Sequence, residues 1–252
     1  MIDIHTHLLP GVDDGSRSIE SSLTILEQFA AGGVRTVICT PHLDASRASQ
    51  APHEEHAAIF ARLCAGAPTV PKLLRGWEIM LDVPGAKLSD PRLSLGGSNA
   101  VLVEFPRTML PPNAAEELFR LRTSGVVPVV AHPERYVGCS PEMVEEWRRV
   151  GAVIQMDIAG VVGTKRGQEL GPKLLARGLV DIFASDTHVD SRSLVPARDW
   201  VREVGTDEQA ELLTRVNAER LLAGHEMIPI PPLVIRTGFL ARLKSMVLGH
   251  RA

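Results

Sequence analysis

The sequence predicts an α/β barrel, and three observations carry that prediction. Apolar, β-branched runs alternate with helical segments about seven times along the 252 residues, the pattern of right-handed βαβ units around a parallel sheet. The strand segments are nearly continuous apolar runs, as required when both faces of a sheet are covered. Histidines and carboxylates follow the first, second, third, fourth, fifth and seventh strands. In a barrel the C-terminal strand ends converge on one mouth, whereas an open sheet spreads them along a line.

The elements follow in order. Met1–Ile4 reads as a buried strand, and His5 and His7 sit two apart at its end, where side chains of an extended segment point the same way. The loop from Leu8 to Ser16 contains Val12-Asp13-Asp14-Gly15 and is rich in turn residues. A helix follows with Ser18 as N-cap, with Ile19, Leu23, Leu26 and Ala30 at helical spacing and Gly32-Gly33 at its end. Arg35–Thr40 is the second strand, closed by Pro41-His42; Leu43–Pro52 reads as an irregular loop over the site, and Glu54–Ala65 as a helix. Lys72–Trp77 is the third strand, ending at Glu78, and Ala100–Val103 the fourth, ending at Glu104. Asn113 and Glu116 are spaced like a capping box for a helix that ends at Ser124-Gly125. Val126–Ala131 is the fifth strand, ending in His132-Pro133-Glu134-Arg135-Tyr136, and Ser140-Pro141 opens the next helix. Ala152–Met156 is the sixth strand, followed by the loop Gly160–Gly167. Val180–Ala184 is the seventh, ending in Ser185-Asp186-Thr187-His188; Thr206 caps a late helix and Asn217 another.

Composition narrows the function class. A net charge of −3 gives no attraction to nucleic acid or membrane, and no basic stripe interleaved with aromatics is present. Cys39, Cys64 and Cys139 are odd in number and widely spaced, which points to reduced thiols and a cytoplasmic location. No signal peptide is read at the N-terminus, and no apolar run approaches the roughly 18 residues needed to span a bilayer.

The candidate ligand set is His5, His7, Asp14, His42, Glu78, Glu104, His132, Asp186 and His188. An isolated His-x-His is usually a surface pair, and a lone Glu after a strand is usually solvated. All of them at the mouth of one barrel is a joint signal. Nine nitrogen and oxygen donors exceed what one ion needs, so two or three ions are implied. His with carboxylate and no thiolate suits zinc, iron or manganese. Clustered metals lower the pKa of bound water and clamp phosphoryl oxygens, so the expected chemistry is metal-assisted hydrolysis. Arg135 lies three residues beyond His132 and Arg192 four beyond His188; a guanidinium fork matches phosphate, which points to a phosphomonoester. Lys165 and Arg166 offer a cationic loop nearby. A cysteine-dependent phosphatase needs Cys-x5-Arg, but the positions six beyond the three cysteines hold Ala45, Val70 and Glu145.

The stretches Asp3–His7, Asp13-Asp14-Gly15, Ala131–Tyr136 and Ser185–His188 resemble the polymerase and histidinol phosphatase (PHP) superfamily. More narrowly, they are similar to its bacterial capsule and exopolysaccharide tyrosine-protein phosphatases, over roughly Met1–Gly224. The resemblance implies a distorted (β/α)7 TIM-like barrel with a manganese-type cluster on the nine ligands, Arg135 and Arg192 on phosphate, and metal or Asp186 contact stabilising the leaving phenolate. It implies hydrolysis, by a metal-activated water, of phosphotyrosine on a tyrosine kinase of polysaccharide synthesis, a membrane-associated partner. Asp157 is a departure, standing where relatives are expected to carry Asn.

Two alternatives stay open: a PHP-type phosphatase of a small molecule, such as a sugar phosphate or histidinol phosphate, and a non-catalytic regulator of the kinase. The second needs broken ligands, and none is broken. The chain divides into a barrel, residues 1–227, and a proline-rich linker with an amphipathic C-terminal helix, residues 228–252. In that helix Ile235, Phe239, Leu243 and Met246 share one face, with Arg236, Arg242 and Lys244 elsewhere. Such a helix docks on the inner face of a membrane, on a partner, on its own barrel or on another subunit of a homo-oligomer.

Overall fold

The computed structural model describes residues 1–157, 169–190 and 192–233. The ends of two readings, Ile158-Ala159 after the sixth strand and the loop Gly160–Gly167 with Lys165 and Arg166, lie outside these residues, as does the C-terminal amphipathic segment. The strands are β1 (Ile2–Thr6), β2 (Thr36–Cys39), β3 (His42–Asp44), β4 (Lys72–Arg75), β5 (Glu78–Met80), β6 (Ala100–Glu104), β7 (Val127–Val130), β8 (Val153–Asp157) and β9 (Ile182–Ala184). All pairings between them are parallel. They form a sheet of order β1-β2-β4 and a sheet of order β3-β5-β6-β7-β8-β9.

The second and third sequence strands are each broken in two, and that break distorts the barrel. Pro41 has no N–H for the ladder. At Gly76 a Cβ would lie 2.8 Å from Leu95 Cδ2, so a larger residue there would have to displace that side chain. Across the break Gly76 N donates to Cys39 O (2.9 Å) and Glu78 N to Pro41 O (3.0 Å), so β2/β3 and β4/β5 remain neighbours. The ring returns to its start where His7 N donates to Thr187 O and Asp186 N to His5 O, both at 3.0 Å. The result is a distorted α/β barrel of seven strand positions without one continuous ladder.

Two apolar layers hold it. Ile2, Ile4, Ile38, Leu102, Val129, Val153 and Ile182 come from six strand positions and pack together inside the ring. Outward residues such as Val37, Val103, Ile154 and Phe183 pack with helix residues Leu26, Phe29, Leu118, Trp147 and Trp200. The helices are α1 (Ile19–Ala31), α2 (His53–Gly66), α3 (Ala114–Thr123), α4 (Pro141–Arg149), α5 (Leu170–Ala176), α6 (Leu194–Val204), α7 (Asp207–Glu211) and α8 (Asn217–Leu222). The connection from β5 to β6 carries short 3₁₀ turns, Pro91–Leu93 and Leu95–Gly97, in place of a helix.

The caps at Ser18, Ser140 and Thr206 form, Thr206 in a full capping box with Gln209. Other local readings are corrected. Helix α1 buries Ser22, Ile25, Leu26 and Phe29, a face turned from the one read, because Ser22 donates to Leu8 O (2.8 Å) and makes a polar position internal. Asn113 makes no side-chain cap bond. Asn217 is not a cap either: a π-helical turn, Leu212–Val216, runs directly into α8. The Asn217 amide instead bridges Asp181 O and Ile228 O (3.1 and 3.0 Å). Leu43–Pro52 is ordered as β3 and a 3₁₀ turn over Ala45–Gln50, with Leu43, Ala45 and Ala48 buried.

Candidate metal centre

All nine sequence-predicted ligands meet at the C-terminal mouth of the barrel. A register shift between Asp3 and Thr6 in β1 leaves Ile2 and Ile4 in the inner apolar cluster and aims His5 and His7 at one point, their Nε2 atoms 3.2 Å apart. The β2 and β4 breaks deliver His42 and Glu78 as paired residues at the start of β3 and β5. Thus these two begin short strands instead of ending longer ones. His132 and Asp186 have positive φ, 33° and 48°, a region few non-glycine residues occupy. Such strain persists only where the surroundings hold it.

Donor atoms converge as four overlapping groups: His5, His7 and Asp186; His5, Glu78 and His132; His42, Glu78 and Glu104; and His7, Asp14, His42 and His188. Glu78 belongs to two of them. Its Oε1 lies 2.8 Å from His132 Nε2; its Oε2 lies 3.3 Å from His5 Nε2, 3.3 Å from His7 Nε2 and 2.9 Å from His42 Nδ1. Asp186 Oδ1 sits 3.2 and 3.1 Å from the same His5 and His7 atoms. Asp14 Oδ1 links the outer pair, 3.4 Å from His42 Nε2 and 3.3 Å from His188 Nε2. His5, His7, Glu78, Glu104, His132 and Asp186 are buried, whereas the Asp14 side chain is 70 % exposed.

The electrostatics fit divalent cations. Burial pushes the Glu104 carboxyl up to about 7, helped by the charge of Glu78, and pushes His132 down to about 4. Burial also acts on Glu78 and Asp186, but histidines outweigh it, with Arg135 adding at Asp186, and both carboxyls lie well below their usual range. Burial disfavours protonation of His7, yet Asp13, Asp186 and Glu78 together raise it well above an ordinary imidazole. Glu104 Oε2 and His132 Nδ1 are buried without a hydrogen bond, and Glu78 Oε2 is shared among three imidazoles. A buried carboxylate oxygen left unbonded beside converging imidazoles is a demand that a cation meets.

Residues outside the sequence-predicted set orient these donors. Asp13 Oδ2 accepts from His7 Nδ1 at 2.7 Å, and Gln155 Oε1 lies 3.1 Å from His5 Nδ1. Each leaves the Nε2 lone pair for the centre, the usual support of a ligating imidazole. The adjacent Asp13-Asp14 pair was the only sequence signal for the first; Gln155 gave none. Gly15 is required here, because a Cβ would come within 2.2 Å of His7 O.

Arg135 and Arg192 stand beside the centre. The Pro133–Arg135 turn brings Arg135 onto Asp157, and its Nη2 is 2.6 Å from Asp186 Oδ2. Arg192 Nη1 is 3.2 Å from that same oxygen, and its Nε bonds Asp190 at 2.7 Å. Asp186 therefore faces the donor cluster with one oxygen and both guanidinium groups with the other. Asp157 is fully buried and paired with Arg135, the guanidinium that also contacts Asp186.

A parallel α/β barrel whose strand ends gather histidines and carboxylates around a shared glutamate defines a class: a barrel with side-chain groups at its mouth that could hold metal. The chain belongs to the family described as capsular polysaccharide synthesis, CpsB/CapC, whose profile matches residues 1–223. It is 29 % identical over 249 residues to tyrosine-protein phosphatase YwqE of Bacillus subtilis, covering 94 % of this chain and 97 % of that protein. It is 30 % identical over 210 residues to tyrosine-protein phosphatase CpsB of Streptococcus pneumoniae, covering 76 % and 85 %. A solved structure described under YwqE and CpsB as unique metal-dependent tyrosine phosphatases superposes with a TM-score of 0.75 at 27 % identity, covering 94 % of this chain and all of that one.

Proposed function

We propose that the protein is a metal-dependent phosphatase of phosphotyrosine on a protein, acting in capsule or exopolysaccharide synthesis. The observation that carries this reading is the joint placement of donors and cations: nine ligand-type residues in one mouth, with Arg135 and Arg192 against the outer oxygen of Asp186. His5, His7, Asp14, His42, Glu78, Glu104, His132, Asp186 and His188 hold two or three divalent ions, manganese by preference, with iron or zinc as alternatives. Bound there, the ions supply an activated water and neutralise phosphoryl charge.

The chain's own groups do the rest. Arg135 and Arg192 take the phosphoryl oxygens bidentately, exchanging part of their contact with Asp186 for the substrate. Asp186 orients both guanidinium groups. It is not the proton donor, since its carboxyl is held well below the usual range by His5, His7 and Arg135 against the effect of burial. The leaving phenolate has a parent pKa of about 10, so it departs with less protonation than an alkoxide needs. The outer edge at Asp14 and His42 is open, with side chains 70 % and 36 % exposed, which suits a tyrosine presented on a protein surface. The partner is a phosphotyrosine kinase of the same biosynthesis, reached from a cytoplasmic position. Among the described residues no helix is long and apolar enough to cross a membrane. Residues 1–227 form the catalytic barrel, and residues 228–233 pack against it, with Ile230 and Leu233 buried and Leu233 N donating to Leu175 O at 3.0 Å.

The test is hydrolysis of a phosphotyrosyl peptide by manganese-loaded protein, beside a sugar phosphate and histidinol phosphate. Turnover of the peptide, lost on chelation, is expected. Turnover of the small phosphates alone would replace this reading with a small-molecule phosphatase.

A further inference from the structure

We infer that an apolar shelf on one side of the mouth, built by residues 81–84 and 105–112, docks the peptide that carries the phosphotyrosine and takes an apolar side chain flanking it. This rests on the phosphotyrosine reading above and names the substrate feature that reading leaves open. The shelf is a cavity of about 320 Å³ lined chiefly by Leu81, Val83, Phe105, Met109, Leu110 and four prolines, with Asp82, Asn113 and Glu117 as its polar members. Five large hydrophobic side chains are exposed among the described residues, and three lie on this side: Met109 at 75 %, Val137 at 65 % and Val83 at 37 %. Single exposed hydrophobics are ordinary, but a group gathered on neighbouring loops marks a contact surface.

The shelf is continuous with the metal centre. Its loops follow β5, β6 and β7, the strands that bring Glu78, Glu104 and His132 into the mouth. Phe105 is the next residue after Glu104, and Leu81 N donates to Glu104 O at 2.8 Å. Val137 N donates to Arg107 O at 2.9 Å, which ties the third loop to the second. The covalent step from Glu104 to Phe105 and the Leu81–Glu104 bond put the shelf beside the mouth, on the side where residues flanking a seated phosphotyrosine would run. Its floor is preset. Phe105 is buried, its N–H donates to Tyr136 Oη (3.1 Å), and four prolines fix φ along the walls. Met109 on the rim adapts to side chains of different shape.

The experiment compares kcat/KM for p-nitrophenyl phosphate and two phosphotyrosyl peptides, one with leucines flanking the tyrosine and one with serines there. The wild type is expected to prefer the leucine peptide about ten-fold, mostly through KM, the ratio that partial burial of one leucine produces. In Met109→Glu and in Val83→Glu the preference falls to within about two-fold, while p-nitrophenyl phosphate turnover is unchanged. Equal use of both peptides by the wild type, or an equal loss on all three substrates in the variants, would overturn the shelf and leave the phosphatase reading standing. No turnover of any aryl phosphate would remove that reading, and the shelf with it.

Discussion

Removing Asp13 tests whether the histidines are tuned as ligands. The Asp13 Oδ2 to His7 Nδ1 bond is 2.7 Å long, and the Asp13 side chain is 5 % exposed, so solvent screening takes little from it. The bond keeps the His7 proton on Nδ1 and aims the Nε2 lone pair at the point where Glu78 and Asp186 oxygens lie 3.3 and 3.1 Å away. Loss of such a support weakens metal affinity by about 10- to 100-fold, or ~1.4–2.8 kcal/mol. Asp13→Asn keeps an acceptor and falls at the low end; Asp13→Ala falls at the high end. The pH dependence has a sign. Although burial acts the other way, Asp13 helps raise His7 above an ordinary imidazole, and a ligand must shed its proton to bind metal. Wild-type affinity therefore falls as pH drops through that raised range. The Ala variant, with a less basic His7, pays less there, so its deficit is largest at alkaline pH and narrows in acid. Manganese titration by calorimetry at about pH 8.5 and about pH 6 reads both quantities. Unchanged affinity in Asp13→Ala, or a deficit that widens in acid, would refute the reasoning.

Three further outcomes follow from the same geometry. Asp157→Asn keeps the shape beside Arg135 but removes the buried negative charge that competes with phosphate for that guanidinium; KM for p-nitrophenyl phosphate should fall about three- to ten-fold with kcat within about two-fold, and a rise in KM would count against Arg135 as a phosphate group. Gly15→Ala drives a Cβ to within 2.2 Å of His7 O and 2.4 Å of His7 Cβ; it should cost about 1–3 kcal/mol in denaturant melts and lower bound metal per chain. Tyr136→Phe strands Ala131 O and Phe105 N, which the hydroxyl serves at 2.7 and 3.1 Å; the loss should be about 1–3 kcal/mol by urea denaturation.

Much of this was legible in the sequence because barrel strands are short, apolar and followed by their functional residues. Ile2–Thr6 with His5 and His7, Val127–Val130 with His132, and Ile182–Ala184 with Asp186 are local patterns, and a local pattern survives reading in one dimension. What was not legible depends on contacts between distant residues. The split of the second and third strands follows from Pro41 and from Leu95 crowding Gly76. The ordering of Leu43–Pro52 comes from pairing His42–Asp44 with Glu78–Met80. Gln155 reaches His5 across 150 positions, and Asn217 serves backbone groups of Asp181 and Ile228 instead of capping a helix. Asp157, a departure in the sequence, proves to be an ion-pair partner of Arg135, a contact across 22 positions.

The central claim is a multinuclear centre organised by one carboxylate, and metal counting in Glu78→Gln addresses it most directly. Glu78 contacts His132 with one oxygen and His5, His7 and His42 with the other. Elemental analysis of dialysed, manganese-loaded wild type should give two or three ions per chain. The variant should lose more than one of them, together with phosphotyrosine hydrolysis. A single ion in the wild type, or full occupancy and activity in Glu78→Gln, would contradict the account.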